Sequence, residues 1–67
     1  MKLIAEMIPE YRANLDAIRA RRAQLLAERD AEPRFECRHR LTVRIIRLNE
    51  IIGSTTRALR AMQDYAE

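Results

Sequence analysis

Residues 41–62, with the sequence LTVRIIRLNEIIGSTTRALRAM, decide the fold of this 67-residue chain. Apolar and small residues recur through this stretch at alternating intervals of four and three positions, the spacing of a helix that packs along a single seam. This heptad stripe comprises Leu41, Ile45, Leu48, Ile52, Thr55, Leu59, Met62 and, one step further, Ala66. The stretch therefore predicts a long amphipathic helix in the second half of the chain.

The first half of the chain carries the same rhythm. Its members are Ile4, Ile8, Tyr11, Leu15, Ile18 and Leu25, with Arg22 as a polar interruption. After this stripe comes Pro33, which has no N–H to donate and disfavours helical geometry at Glu32. A turn this short places consecutive helices side by side and antiparallel. We predict one helical-hairpin domain over residues 1–67, with helices at about 3–30 and 34–65 and a turn at 31–33.

An alternative for the second helix stays open at this point. Gly53 and Ser54 are weak helix formers, and Ser54 could cap a separate third helix. The heptad stripe nevertheless passes through Thr55 in phase, which favours an unbroken helix. Gly53 also lies seven residues after Ile46, so a close contact with another helix on this stripe would explain the glycine.

The composition points to an all-α hairpin that pairs with a second copy. One Gly, two Pro and no Trp accompany many Ala, Leu, Ile, Arg and Glu residues, which favours helix over sheet. Two helices hide only one narrow stripe, yet several large apolar residues fall outside it: Phe35, Val43, Ile46 and Ile51. Exposing such side chains forgoes about 1.5–3 kcal/mol each. A two-fold four-helix bundle would cover them, and a larger protein partner is the alternative.

The predicted oligomer interface follows the second helix. It comprises Leu41, Ile45, Ile46, Leu48, Ile52, Thr55, Leu59 and Met62. We expect a homodimer or another homo-oligomer rather than a monomer, because the apolar surface of the chain exceeds what one hairpin can bury.

Little in the chain indicates a cofactor, a metal or a membrane. Cys37 is the only cysteine, so an internal disulfide is excluded and no cysteine pair exists to bind zinc. His39 is the only histidine, and the nearby carboxylates have no recognised ligand spacing. The opening Met1-Lys2-Leu3-Ile4 is soon interrupted by charged residues and a proline, before a signal peptide or membrane span could form. We expect a cytoplasmic protein without a cofactor.

Positive charge is concentrated in the middle of the chain. Residues 19–47 contain nine Arg and four acidic residues, a net charge of +5, whereas the two ends carry four basic and six acidic residues, a net charge of −2. A hairpin that turns near residues 31–33 would place Arg19, Arg21 and Arg22 beside residues 42–46. The resulting basic band predicts phosphate contacts through Arg19, Arg22, Arg38, Arg40, Arg44 and Arg47. Alternatively, the arginine stems cover apolar flanks and pair with nearby carboxylates.

Arg12 lies seventeen residues before Arg29, which ends the stretch LLAER at residues 25–29. With these two arginines, residues 11–30 resemble the first helix of the all-helical chorismate mutases. The resemblance implies that both arginines would help to bind a dicarboxylate substrate. The family's first helix continues well beyond the second arginine and carries a substrate-binding lysine, whereas Pro33 stops the helix here and no lysine follows it. We therefore predict that the protein is not an enzyme and keep this activity as a remote alternative.

The whole chain is similar in pattern to small uncharacterised helical-hairpin proteins of phages and mobile elements. The similarity rests on residues 40–50, RLTVRIIRLNE, and on residues 58–65, ALRAMQDY. It implies a helical hairpin, and it assigns neither an activity nor a functional residue. The first expectation for function is therefore a small self-associating interaction or assembly protein, and the second is a nucleic-acid-binding accessory or regulatory protein.

Overall fold

Two long helices make up the part of the chain that the computed structural model describes, residues 3–66. Helix α1 spans Ile4–Ala31 and helix α2 spans Phe35–Ala66, and no strand occurs within these residues. The helices are antiparallel, because Leu15 of α1 packs against Ile52 and Leu59, in the second half of α2. The prediction of an all-α pair of packed helices is confirmed. Residues 1, 2 and 67 of the predicted domain lie outside the described residues.

Pro33 ends the first helix in the way that its chemistry requires. Glu32 adopts an extended conformation, with φ −87° and ψ 117°, which is the region favoured before a proline. Its backbone N–H still donates to the carbonyl of Arg29 at 3.2 Å. After the link, the N–H of Arg38 donates to the carbonyl of Arg34 at 3.0 Å, which closes the first turn of α2. Each helix boundary differs by one residue from the predicted one.

Helix α1 contains Pro9 near its start. The carbonyl of Leu3 accepts hydrogen bonds from the N–H groups of Glu6 and Met7, at 3.0 and 3.3 Å. The helix therefore begins at Ile4, and Pro9 lies in its second turn. Because proline has no N–H, the carbonyl four residues earlier receives no helical hydrogen bond from it.

Helix α2 passes through Gly53 and Ser54 without a break, so the alternative of a third helix is wrong. Within this stretch Oγ1 of Thr56 donates to the carbonyl of Ile52 at 2.6 Å, so the hydroxyl is satisfied inside the helix. The weak helix formers are thus tolerated inside a helix that tertiary packing holds in place.

The core is a single row between the two helices. Five apolar side chains are buried among residues 3–66: Leu15, Leu25, Ile45, Ile52 and Leu59. The heptad stripe of α2 is divided by depth, because Ile45, Ile52 and Leu59 are buried whereas its other members, including Leu48, are half-buried or exposed. A core this small is what two helices can build when each has only one neighbour.

The hairpin is a rod rather than a sphere. Its Cα atoms extend over 48 × 18 × 15 Å, and its radius of gyration is 15.3 Å. A compact 67-residue domain would have a radius of gyration of about 11 Å. Much of each helix consequently faces solvent, and α2 exposes four large apolar side chains: Phe35, Ile46, Ile51 and Tyr65.

Candidate functional site

The predicted oligomer interface is divided by the fold. Ile45, Ile52 and Leu59 are only 5 to 8% exposed because they pack between α1 and α2, so they are not on the outside of the hairpin. The remaining members are half-buried apart from Ile46, which is 52% exposed. The predicted interface must therefore be corrected, since a seam that faces α1 cannot also face a second copy. The half-buried members are Leu41, Leu48, Thr55 and Met62.

A second stripe of α2 remains uncovered, and we call Phe35, Ile46 and Gly53 the Ile46 face. These positions are separated by eleven and seven residues, so they lie on one side of the helix. Phe35 is 79% exposed, and its ring stacks on that of His39 with centroids 6.4 Å apart and an interplanar angle of 13°. The face carries large apolar side chains for which the hairpin supplies no cover.

Gly53 is not required by the hairpin itself. A Cβ atom placed on it would meet only Nη1 of Arg57, at 3.5 Å, which is an ordinary contact with a flexible side chain. Its φ angle is not positive, so the backbone does not demand glycine either. Glycine inside a helix costs about 1 kcal/mol relative to alanine. Neither packing nor backbone geometry within the hairpin therefore explains why position 53 is a glycine.

The arginines meet in a different register from the one predicted. Nη1 of Arg22 donates to Oδ1 of Asn49 at 2.9 Å, and Nη1 of Arg29 donates to Oγ1 of Thr42 at 3.5 Å. In both pairs the two residue numbers add to 71, which defines how the antiparallel helices are aligned. The predicted placement of Arg22 beside residue 42 corresponds to a sum of 64. The difference of seven residues is two helical turns.

This register gathers four of the arginines, Arg21, Arg40, Arg44 and Arg47, which we call the arginine groove. Arg21 of α1 and Arg44 and Arg47 of α2 line one groove, together with Leu25 and Leu48. Arg44 also lines the adjoining cavity, which contains Arg40 and Glu28 as well. The three α2 arginines are spaced by four and three residues, so they share one side of the helix over about 10 Å.

Arg21 is the member of the groove that the predicted nucleic-acid-binding set omitted. It belonged to the expected band, but its position opposite Arg44 and Arg47 depends on the register, which no local pattern reveals. Three members of the predicted set lie elsewhere. Arg22 is held by Asn49, Arg38 lines a separate cavity with Asp30 and His39, and Arg19 is exposed outside the groove. The predicted band is therefore corrected to a groove on one side of the hairpin.

The groove arginines have few partners within residues 3–66. Nη1 of Arg21 donates to Oε1 of Gln24 at 3.2 Å, which leaves its charge uncompensated. Arg40, Arg44 and Arg47 form no hydrogen bond or ion pair through their side chains with the described part of the chain. Of the carboxylates near these arginines within residues 3–66, only Glu32 forms an ion pair with an arginine; the others are Glu28, Asp30 and Glu36. Leu25 and Leu48 line the groove beside Arg21, Arg44 and Arg47.

The ion pair at the turn joins Glu32 to Arg34. Nε of Arg34 donates to Oε1 of Glu32 at 2.8 Å, and the backbone N–H of Arg34 donates to the same oxygen at 3.1 Å. The side-chain hydrogen bond from Arg34, followed by the backbone one, lowers the pKa of the Glu32 carboxyl below its usual 4.5. This pair lies in the link between the helices, and Glu32 also lines the cavity that contains Arg40.

The two arginines of the chorismate-mutase resemblance lie far apart on α1. Arg12 and Arg29 are separated by seventeen residues, or about 25 Å of helix axis. Arg29 is half-buried and donates to Thr42, while Arg12 is exposed. The helix that carries them ends at Ala31. Arg29 is thus engaged in holding the two helices together.

Cys37 and His39 add no metal centre to this description. Cys37 is half-buried rather than fully buried, and it lines the cavity next to Arg40. His39 is exposed and stacked on Phe35. Across residues 3–66 no three side chains of His, Cys, Asp or Glu come together in a group that could hold a metal ion. Nor is either described helix long and apolar enough to cross a membrane.

Comparison with protein-family models, curated proteins and solved structures finds no match to this chain. The proposals below therefore depend on the two surfaces of the hairpin, the Ile46 face and the arginine groove.

Proposed function

We propose that the protein is a small self-associating interaction or assembly protein, in which two hairpins pair through their Ile46 faces into a two-fold four-helix bundle. The observation that carries this proposal is the surface area of the single hairpin. It exposes 5288 Å², whereas a folded monomer of 7.9 kDa exposes about 4400 Å². The excess of about 900 Å² is close to the ~800 Å² that each partner buries in an interface of standard size.

The dimensions of the hairpin agree with an interface of this area. Its broad side measures 48 by 18 Å between Cα atoms, an area of about 860 Å², so a standard interface would occupy one whole side. Pairing of two such sides converts two rods into one four-helix bundle, in which each helix gains further neighbours. A partner of the same length fits the full side of the rod.

Charge decides between the two sides of α2 that carry exposed apolar residues. Ile46 and Ile51 are 52% and 46% exposed, and five helical residues separate them by about 140°. On the side of Ile51 lie Arg44 and Arg47, seven and four residues earlier. A two-fold interface pairs a surface with itself, so arginines there would face arginines of the second copy. The Ile46 face instead carries charges of both signs, Arg57 beside Gly53 and Glu50 four residues after Ile46, so opposite charges are available to pair across a two-fold axis.

Light scattering on the purified chain tests the proposal. We expect a mass of at least twice 7.9 kDa at micromolar concentration. Ile46→Asp should then reduce the mass to that of one chain, because a carboxylate in the interface would lose its hydration without a partner. Ile51→Asp is the matched control, since it changes the same residue type at nearly equal exposure on another side of the helix.

A helical wild-type monomer at these concentrations contradicts self-association. If the wild type is a dimer that Ile51→Asp dissociates and Ile46→Asp does not, self-association stands but the wrong side was chosen. Circular dichroism of each variant shows whether the helices persist, so unfolding is not confused with dissociation.

Binding of nucleic acid is a second candidate function, and the arginine groove is the observation that favours it.

Catalysis is not supported by a comparable observation. The helix that carries both arginines of the resemblance ends at Ala31, and no lysine follows it to complete a dicarboxylate pocket. We therefore keep the prediction that the protein is not an enzyme.

A further inference from the structure

The arginine groove carries a concentration of positive charge that the chain does not neutralise. Its four arginines share the groove and the adjoining cavity with two carboxylates, Glu28 and Glu32. Glu32 is already paired with Arg34, which leaves Glu28 and an excess of three positive charges. Guanidinium groups held on one side of a narrow rod repel one another. An external anion would relieve this repulsion.

We propose that the arginine groove binds the phosphodiester backbone of double-stranded nucleic acid without reading its sequence. The planar guanidinium group matches phosphate oxygens with two parallel donors. Arg40, Arg44 and Arg47 cover about 10 Å along α2, and a duplex presents one phosphate per strand every 3.4 Å of its axis. The stripe is therefore long enough to contact successive phosphates, with Arg21 approaching from α1.

The other side chains of the groove determine which nucleic acid fits. Leu25 and Leu48 line it beside the arginines, and neither it nor the adjoining cavity is lined by an aromatic residue. Stacking of single-stranded bases on aromatic rings has no counterpart here. Asparagine and glutamine, which read adenine edges, are also missing from these linings. Arginine can also read guanine edges, so equal binding of an A·T-only and a G·C-rich duplex is the result expected for contact with the backbone.

An anionic membrane surface is the competing ligand, and the position of the apolar side chains argues against it. A helix that lies on a membrane inserts its apolar stripe below the charged one. In this hairpin the apolar stripes of both helices are turned toward each other, with Leu25 only 1% exposed and Ile45 only 5% exposed. Beside the arginines Ile51 is exposed, at 46%, but one such side chain is not the continuous apolar stripe that a membrane-surface helix inserts.

The groove does not depend on the proposed dimer. Arg44 and Ile46 are two residues apart, which separates them by about 160° around α2. Pairing through the Ile46 face leaves the arginines on the outside of the bundle. The two proposals can therefore fail separately. A dimer that does not bind nucleic acid would contradict the groove proposal alone, and a monomer that binds nucleic acid would contradict the dimer proposal alone.

The experiment is an anisotropy titration of a labelled 25-base-pair duplex with the full chain at about 50 and 200 mM salt. The logarithm of the association constant falls with the logarithm of salt by about 0.9 per phosphate neutralised. Four contacts predict a slope of about −3.6, which is a loss of about 150-fold between these concentrations. The triple variant Arg40→Gln, Arg44→Gln, Arg47→Gln keeps only Arg21, so its slope should fall to about −0.9, or about 3.5-fold.

A second triple variant with the same change in charge is the control. Arg12→Gln, Arg19→Gln, Arg38→Gln removes three exposed arginines outside the groove, two of them from the predicted band. It should keep the slope of the wild type. Circular dichroism and light scattering of both variants establish that the helices and the mass are unchanged.

Three results would overturn the proposal. The first is the absence of binding at 50 mM salt, where electrostatic contacts are strong. The second is an equal loss of slope in both triple variants, which would mean that only net charge matters. The third is binding to vesicles with one third phosphatidylglycerol but not to the duplex, which would assign the groove to a membrane surface.

Discussion

The substitution Gly53→Ala separates the stability of the hairpin from its association. In a helix interior alanine is favoured over glycine by about 1 kcal/mol, and the added Cβ meets only Nη1 of Arg57, at 3.5 Å. A gain of this size raises the melting temperature of a 60–100-residue domain by about 4–8 °C. In a monomeric background, provided by Ile46→Asp, the substitution should therefore stabilise the helices by this amount.

In the wild-type background the same substitution should act in the opposite direction on dimerisation. Gly53 lies on the Ile46 face, where two helices that approach closely leave no room for a methyl group. Overpacking of this kind costs typically about 1–3 kcal/mol, and 1.4 kcal/mol corresponds to a tenfold change in a dissociation constant. We expect the dimer of Gly53→Ala to dissociate at about tenfold higher concentration or more.

Sedimentation equilibrium over a range of concentrations measures the dissociation constant, and thermal melts by circular dichroism measure stability. Ser54→Ala is the matched control, because its side chain is exposed on another side of α2 and its removal should leave association unchanged. If Gly53→Ala stabilises the protein in both backgrounds and leaves the dissociation constant as it was, the glycine has no role in pairing. Close approach of two helices at Gly53 would then not be the reason for the glycine.

Two further predictions concern the core and the turn. Leu25→Ala, at the most buried side chain, should lower the free energy of unfolding by about 2–5 kcal/mol, a large part of the ~3–10 kcal/mol expected for a chain of this length. Urea denaturation measures this loss, and an equal loss in Leu26→Ala, at a half-buried neighbour, would contradict it. The lowered pKa of Glu32 means that its carboxylate stabilises the fold above the usual value of 4.5 and stops doing so as the pH falls through the lowered value. The melting temperature of wild type should therefore exceed that of Glu32→Gln at neutral pH and converge with it in acid; a constant difference would show that the charge is not responsible.

The helices themselves could be read from the chain because their causes are local. Pro33 restricts the backbone at Glu32 whatever the rest of the molecule does, so the end of α1 follows from covalent geometry. The heptad stripe that includes Ile45 and Ile52 reflects the period of the helix, and it identified the residues that pack against α1. The passage of this stripe through Thr55 correctly favoured an unbroken α2.

The alignment of α1 with α2, and the side of the hairpin on which each arginine lies, depended on the tertiary structure. A heptad seam can pack in steps of seven residues with its apolar face still covered, so the period alone does not distinguish the observed pairing of Arg22 with Asn49 from one two turns away. The alignment of the two helices depends on the way in which their side chains fit together along the whole rod. That choice brought Arg21 to the groove, and it left Arg38 on another side.

Sequence by itself thus determined two amphipathic helices, their boundaries and their inward stripes, since each follows from residues close together in the chain. Only the tertiary structure decided which residues of that stripe are used up inside one hairpin and which remain outside. Ile45 and Ile46 are adjacent in sequence, yet one is 5% exposed and the other 52%. The physical reason is that a helix turns by about 100° per residue, so a single neighbour can cover one of them but not both.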